Sequence, residues 1–221
     1  MSRAARVTSV VVAAAIGLMS SLAHAADART AVKEAVARYE AGDIDDARRR
    51  FESLAARGVP IAHHNLAMML LRGETPARSE DERSKIALRH LNSAARGGFV
   101  TSQLTLGQLH EEGRIVPRDR RRALEWYERA ARAGSVDAQI AAGSTYYVGQ
   151  GRTRDAKRAL HWYRRAAAAG DVGAQYLVAA MYEHGDGVAA DPRAAAYWYQ
   201  AAAARGDIAA AAKLEALNRK P

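Results

Sequence analysis

A step of 36 residues runs through the second half of the chain and limits what it can fold into. Trp126-Tyr127, Trp162-Tyr163 and Trp198-Tyr199 are separated by that step, as are Gln103, Gln139 and Gln175, and Asp119, Asp155 and Asp191. Ala130, Ala166 and Ala202 follow it, and Gly98, Gly134, Gly170 and Gly206 carry it through four members. Several columns held in register mean tandem copies of one structural unit, and a period of roughly 20–50 residues marks a solenoid or array.

Each copy reads as two helices. Ala174 to His184 forms the first helix of the last copy, and Gly185-Asp186-Gly187 supplies residues that end it. Asp191 is placed to cap the second helix, with Pro192 at its first position. That helix runs to about Arg205; Gly206 breaks it and Asp207 caps the next, as Gly134-Ser135 and Gly170-Asp171 do upstream. Ala123, Leu124, Tyr127, Ala130 and Ala131 recur at helical spacing and give the second helix an apolar face. Gly107, Gly143 and Ala179 are small enough to let the two helices approach closely. Abundant alanine favours helix, and only 2 Phe and few β-branched runs leave little for sheets. A helix pair of this size cannot bury its own apolar face and must stack on copies of itself.

These columns resemble the Sel1-like repeat, a relative of the tetratricopeptide repeat. Ala174-Gln175, Met181-Tyr182, Gly185-x-Gly187-Val188, Asp191, Trp198-Tyr199 and Gly206 carry the resemblance in the last copy. Ala138-Gln139, Gly143, Tyr146, Gly149-Gln150-Gly151, Asp155, Trp162-Tyr163 and Gly170 carry it in the copy before. The copy from Ser102 to Gly134 departs at His110, where tyrosine is usual, and at Ile115, where the second glycine belongs. In the copy from Ala62 to Gly98, Gly73 and Gly98 are 25 apart against 21 for Gly113 and Gly134. Its loop, around Thr75 to Asp81, therefore holds four extra residues, and His90-Leu91 replaces Trp-Tyr. Tyr39, Gly42-Asp43, Ala47 and Phe51 resemble a plain tetratricopeptide unit. The resemblance implies an all-α, right-handed superhelical solenoid of stacked antiparallel helix pairs. The expected division is a tetratricopeptide-like pair at 26–58 and a divergent repeat at 59–98, then repeats at 99–134, 135–170 and 171–206. A capping helix at 207–221 follows, so five pairs and the cap make eleven helices.

The first 25 residues read as an address. Arg3 and Arg6 precede an apolar stretch from Val10 to Met19, and Ala23-His24-Ala25 follows: the layout of a cleavable signal peptide. That apolar core, about ten residues long, is too short to span a bilayer. The chain is therefore expected in the periplasm, with no transmembrane segment after cleavage. Losing residues 1–25 removes two of the 33 basic residues and none of the 24 acidic ones, leaving a net charge of +7.

Catalytic patterns are absent. No cysteine is present, and no G-x-S-x-G, S-x-x-K, Walker or dinucleotide motif occurs. None of the six histidines downstream of the signal lies four residues from another, the usual helical spacing for a metal pair. His110-Glu111-Glu112 is the nearest cluster, but His110 falls in the column of Tyr146 and Tyr182 and is expected to be structural. No catalytic residue, cofactor or metal site is expected. The rival class, an enzyme acting on envelope glycans or binding β-lactams, would need a paired acid and base or an activated nucleophile. Basic runs at Arg48-Arg49-Arg50, Arg118 to Arg122, Arg152 to Arg158 and Arg164-Arg165 read as a solvated face, or as an edge for anionic envelope polymers. A polysaccharide-binding or export scaffold is thus a further alternative, and nucleic acid is not expected for an exported chain.

One stripe on the first helix of each copy varies while the packing columns stay fixed: His64, Met68 and Leu71; Leu104, Gln108 and Glu111; Ile140, Ser144 and Tyr147; Tyr176, Ala180 and Glu183. Spacings of four and then three put each trio on one helical face. Stacking would align the trios into a concave groove, where tetratricopeptide-like solenoids hold peptides or helices. Tyr147 and Met68 are the expected anchors. The expected function is that of an exported, non-enzymatic scaffold or adaptor. It would bind a protein or peptide in that groove, in envelope assembly or periplasmic signalling.

Overall fold

The computed structural model describes residues 26–151 and 153–219; the segment expected to be a signal peptide, 1–25, lies outside them. Among the described residues all regular structure is helical. The helices are α1 (26–40), α2 (Ile44–Ala56), α3 (Pro60–Leu71), α4 (Glu80–Arg96), α5 (Val100–Glu112), α6 (Arg120–Arg132), α7 (Val136–Val148), α8 (Ala156–Ala168), α9 (Val172–His184), α10 (Pro192–Ala203) and α11 (Ile208–Asn218). They form two compact units, Met1–Phe99 and Val100–Pro221.

In the first unit, Ala35 of α1, Phe51 and Leu54 of α2, and Leu66 and Met69 of α3 share one core. α4 packs on α3 and buries Ala87, Leu91, Ala94 and Ala95. The extra residues between α3 and α4 are absorbed by a loop that ends in a reciprocal cap. Ser79 Oγ accepts from Glu82 N at 3.1 Å, while the Glu82 carboxylate accepts from Arg78 N at 2.8 Å.

The second unit is a run of helices, each packed on the next from α5 to α11. Its aspartate column serves each repeat twice. Asp119, Asp155 and Asp191 cap α6, α8 and α10 through their carboxylates. Their own backbone N–H groups donate to the carbonyls of His110, Tyr146 and Tyr182, closing the loop onto the preceding helix at 2.8–2.9 Å. The glutamine column ties each pair to the one before: Gln139 and Gln175 donate through Nε2 to the carbonyls of Ala131 and Ala167, each at 3.2 Å. Gly143 explains the tight pairing of α7 with α8, because a Cβ there would lie 2.7 Å from the Tyr163 ring. The missing carbon leaves room for the Tyr163 ring against α7, where close packing would not tolerate the extra atom.

Candidate interaction face

The predicted stripe of the second unit lies on α5, α7 and α9, and all nine of its residues are half-buried except exposed Gln108. Leu104, Ile140 and Tyr147 pack against the α6–α9 core, and the Tyr176 ring meets Tyr199 edge-on with centroids 5.4 Å apart. The buried tyrosines of α6, α8 and α10 pass beneath this stripe and deliver their hydroxyls to it. Tyr127 donates to Glu111 at 2.6 Å and Tyr199 to Glu183 at 2.7 Å. Two of the predicted face residues are therefore acceptors for the packing column. Burial, together with these carboxylates, pushes both phenols well above the ordinary tyrosine range. Burial also raises Glu183, but hydrogen bonds from Tyr199 and Lys213 outweigh it and hold the carboxyl below its usual range.

In the middle repeat Tyr147 occupies the glutamate position, and the arrangement changes. Tyr163 OH turns to Ser144 Oγ at 3.0 Å. Tyr147 donates instead to Asp186 of the next repeat at 2.9 Å, and Arg154 joins the same carboxylate at 2.9 Å. The Arg154 guanidinium lies 4.9 Å from the Tyr147 ring centroid, and its Nε donates to the Tyr147 carbonyl at 3.1 Å. The Arg154 and Tyr147 hydrogen bonds hold the Asp186 carboxyl below its ordinary range. Tyr147 is thus an inter-repeat clasp as well as a surface ring.

Beside this clasp a hollow of about 340 Å³ opens between Tyr147, Tyr163, Leu177, Ala180, Met181 and His184, with Asp186 on its rim. Its floor is apolar, and Leu177 is 38% exposed there. Its volume sits at the small end of ligand cavities and suits side chains better than a cofactor. Tyr147 and Ala180 belong to the expected stripe. Leu177 and His184 do not, although they flank Ala180 at spacings of three and four on the same helix. α5 does not line this hollow; Leu104, Gln108 and Glu111 stand apart from it.

In the first unit, His64 and Met68 line a second hollow of about 270 Å³ with Val36, Phe51, Asn65 and Met69. The His64 ring meets Phe99 tilted at 46°, with centroids 4.9 Å apart, and Leu71 is half-buried nearby in sequence. At the rim, Tyr39 OH accepts from Arg72 at 2.6 Å and meets the Glu74 carboxylate at 2.9 Å.

Much of the basic charge is spent within the chain. Arg48, Arg49 and Arg50 pair with Asp45, Asp46, Glu52 and Glu34. Arg122 and Arg158 pair with the aspartate caps, and Arg129 and Arg165 lie over Trp126 and Trp162. Arg118 repeats the role of Arg154, donating through Nε to the Glu111 carbonyl at the end of α5. Among the described residues no three His, Asp or Glu side chains converge as a metal cage, and no helix is long and apolar enough to cross a membrane.

The Sel1 repeat family model matches residues 60–99, 100–135, 136–171 and 172–207. No curated protein matches the chain. Among solved structures, a Sel1 repeat protein from Oxalobacter formigenes is similar, with 28% identity and a TM-score of 0.73 over 83% of this chain and 74% of that one. A protective antigen of uropathogenic Escherichia coli strains, displaying an SLR fold, is similar with 29% identity and a TM-score of 0.72. That match covers 85% of this chain and 40% of the longer antigen.

Proposed function

The chain belongs to the Sel1 repeat family, and we propose that it is an exported, non-enzymatic scaffold that docks a partner protein or peptide on the α7–α9 face. Sel1 repeats generally mediate protein interactions, and the repeat columns described above supply a rigid support for that role. The observation that carries the proposal is the apolar hollow beside Tyr147, floored by Leu177, Ala180 and Met181. A face already ordered by buried hydroxyl contacts loses little entropy when a partner docks, so binding energy is retained. Leu177 and the Tyr147 ring are the anchoring surface over buried Met181, and Asp186 and His184 form a polar rim. Anionic envelope polymers are the weaker partner class, because the arginine runs are largely engaged by neighbouring carboxylates and rings. The layout of residues 1–25 supports export and a place in envelope assembly or periplasmic signalling.

The test is partner recovery from envelope extract with the wild type and with Ala180→Arg, which fills the hollow from an already half-buried surface position. Recovery of a specific partner should fall about tenfold or more, as for the loss of an interface anchor, with the helical circular dichroism unchanged. Equal recovery by both proteins would refute this face. Mature protein from the periplasmic fraction should begin at Ala26; a retained Met1 would refute export by cleavage.

A further inference from the structure

The α3–α4 pair departs from the other repeats at two columns at once. By helix register, His63 stands where α5, α7 and α9 carry Gln103, Gln139 and Gln175, and His90 stands where α6, α8 and α10 carry Trp126, Trp162 and Trp198. The two replacements meet. His63 Nδ1 and His90 Nδ1 lie 2.9 Å apart, and the ring centroids are 5.2 Å apart. The centroid separation exceeds the nitrogen separation by the sum of two centre-to-nitrogen ring radii, so both nitrogens sit close to the line joining the ring centres. Each ring therefore points its Nδ1 at the other. Lone pairs aimed along one line do not converge on a third point, and the rings as placed share a proton rather than chelate a metal.

Proton counting follows from that geometry. With both rings neutral, one carries its hydrogen on Nδ1 and donates, while the other carries it on Nε2 and accepts. A first added proton leaves the bridging hydrogen in place. A second sets two N–H groups and two like charges face to face, and the contact breaks.

We propose that His63 and His90 form a proton-counting latch between α3 and α4, closed at neutral pH and opened in acid when both rings are charged. The surroundings favour the neutral form. Both rings are half-buried, and burial lowers the proton affinity of each; His63 and Arg89 of α4 lower His90 further. The opposing carboxylate, Glu52 of α2, pulls the other way but is engaged by Arg48 at 2.8 Å. Because the folded-state affinities lie below the ordinary imidazole value, the unfolded chain binds more protons. The latch's contribution is thus complete above the ordinary imidazole range and is lost as pH falls through the folded values. The glutamine and tryptophan columns of the later repeats do not ionise, so α7–α8 and α9–α10 carry no counterpart.

The experiment is a pH titration of the imidazole resonances of the isotope-labelled wild-type protein, with hydrogen exchange on the same chain and on the double variant H63Q/H90W. His63 and His90 should show opposite neutral tautomers and titrate in two separated steps below the ordinary imidazole value. Protection of α3 and α4 amides, taken relative to α7 and α8, should fall about tenfold between about pH 7 and pH 5, the equilibrium equivalent of one lost hydrogen bond. The double variant, which restores both repeat columns, should keep its relative protection. Titration of both rings in a single step at the ordinary imidazole value overturns the proposal, as does an unchanged exchange response in a folded double variant. If that variant does not fold, the wild-type titration decides alone.

Discussion

Ile115 has φ of 53°, and among the described residues it is the only non-glycine with positive φ. It occupies the column where Gly151 and Gly187 have φ of 73° and 74°, so the loop has kept its backbone path while changing its residue. The two glycines are required for a second reason that does not reach Ile115. A Cβ at Gly187 would lie 2.4 Å from the Ala156 carbonyl carbon, and one at Gly151 would lie 2.8 Å from Arg120 Cβ. A β-branched residue in the left-handed region is strained by about 1–2 kcal/mol, while glycine costs about 0.5–1 kcal/mol in chain entropy. Ile115→Gly is therefore expected to stabilise the protein by a few tenths to about 1 kcal/mol, read as a higher urea midpoint at unchanged slope. Gly187→Ala should lower the midpoint sharply, since its new carbon meets backbone rather than a movable side chain. A lowered midpoint for Ile115→Gly would mean that the half-exposed isoleucine side chain holds the loop by contacts that outweigh its strain.

At the scale of the element, what could be read from the chain is what depends on near neighbours. Caps, glycine stops and the four-three stripe lie within a turn or two of the residues they act on, and α10 starts at the expected Pro192 behind Asp191. The eleven-helix division follows from the same local signals. Contacts that need the chain to return in space left no such trace. The tyrosine hydroxyls of α6 and α10 that occupy Glu111 and Glu183, the Arg154–Asp186–Tyr147 clasp and the His63–His90 contact join residues 16 to 39 positions apart. The four-residue insertion also shifts α3 out of the simple 36-residue register, which hid His63 in the glutamine column. Asp155 shows how much a local signal can hold. Its Oδ1 accepts from Arg158 N at 2.9 Å while its own N–H closes the loop on Tyr146. Asp155→Ala should cost about 1 kcal/mol, within the usual range for a lost N-cap. Asp155→Asn should keep most of that stability, because the amide oxygen can still accept. Equal losses in the two variants, measured by urea unfolding, would assign the effect to the Arg158 ion pair instead of the cap.

For the whole molecule, the register of the second unit has a consequence that a chain without repeats would not share. The cap and glutamine contacts that join α6 to α7 recur between α8 and α9, so removing residues 136–171 would present α9 to α6 in place of α7. Ser135, which now caps Ala138 N at 3.2 Å, would stand before Val172 and face Ala174 N, where Asp171 acts at present. Gln175 would meet the Ala131 carbonyl that Gln139 uses, and Tyr182 would meet Glu128, which now accepts from Tyr146 OH. The Asp186 carboxylate would lose both Tyr147 and Arg154, so the apolar hollow and its clasp would go while the packing columns remained. Stability of stacked repeats is close to a sum of unit and nearest-neighbour terms. The shortened protein should therefore keep its helicity per residue at 222 nm and melt cooperatively, several degrees below the wild type. It should also lose any partner bound at the α7–α9 face. Collapse of the helical signal on this deletion would mean that α7 and α8 make contacts their neighbours cannot replace, and the repeat columns would no longer account for the fold.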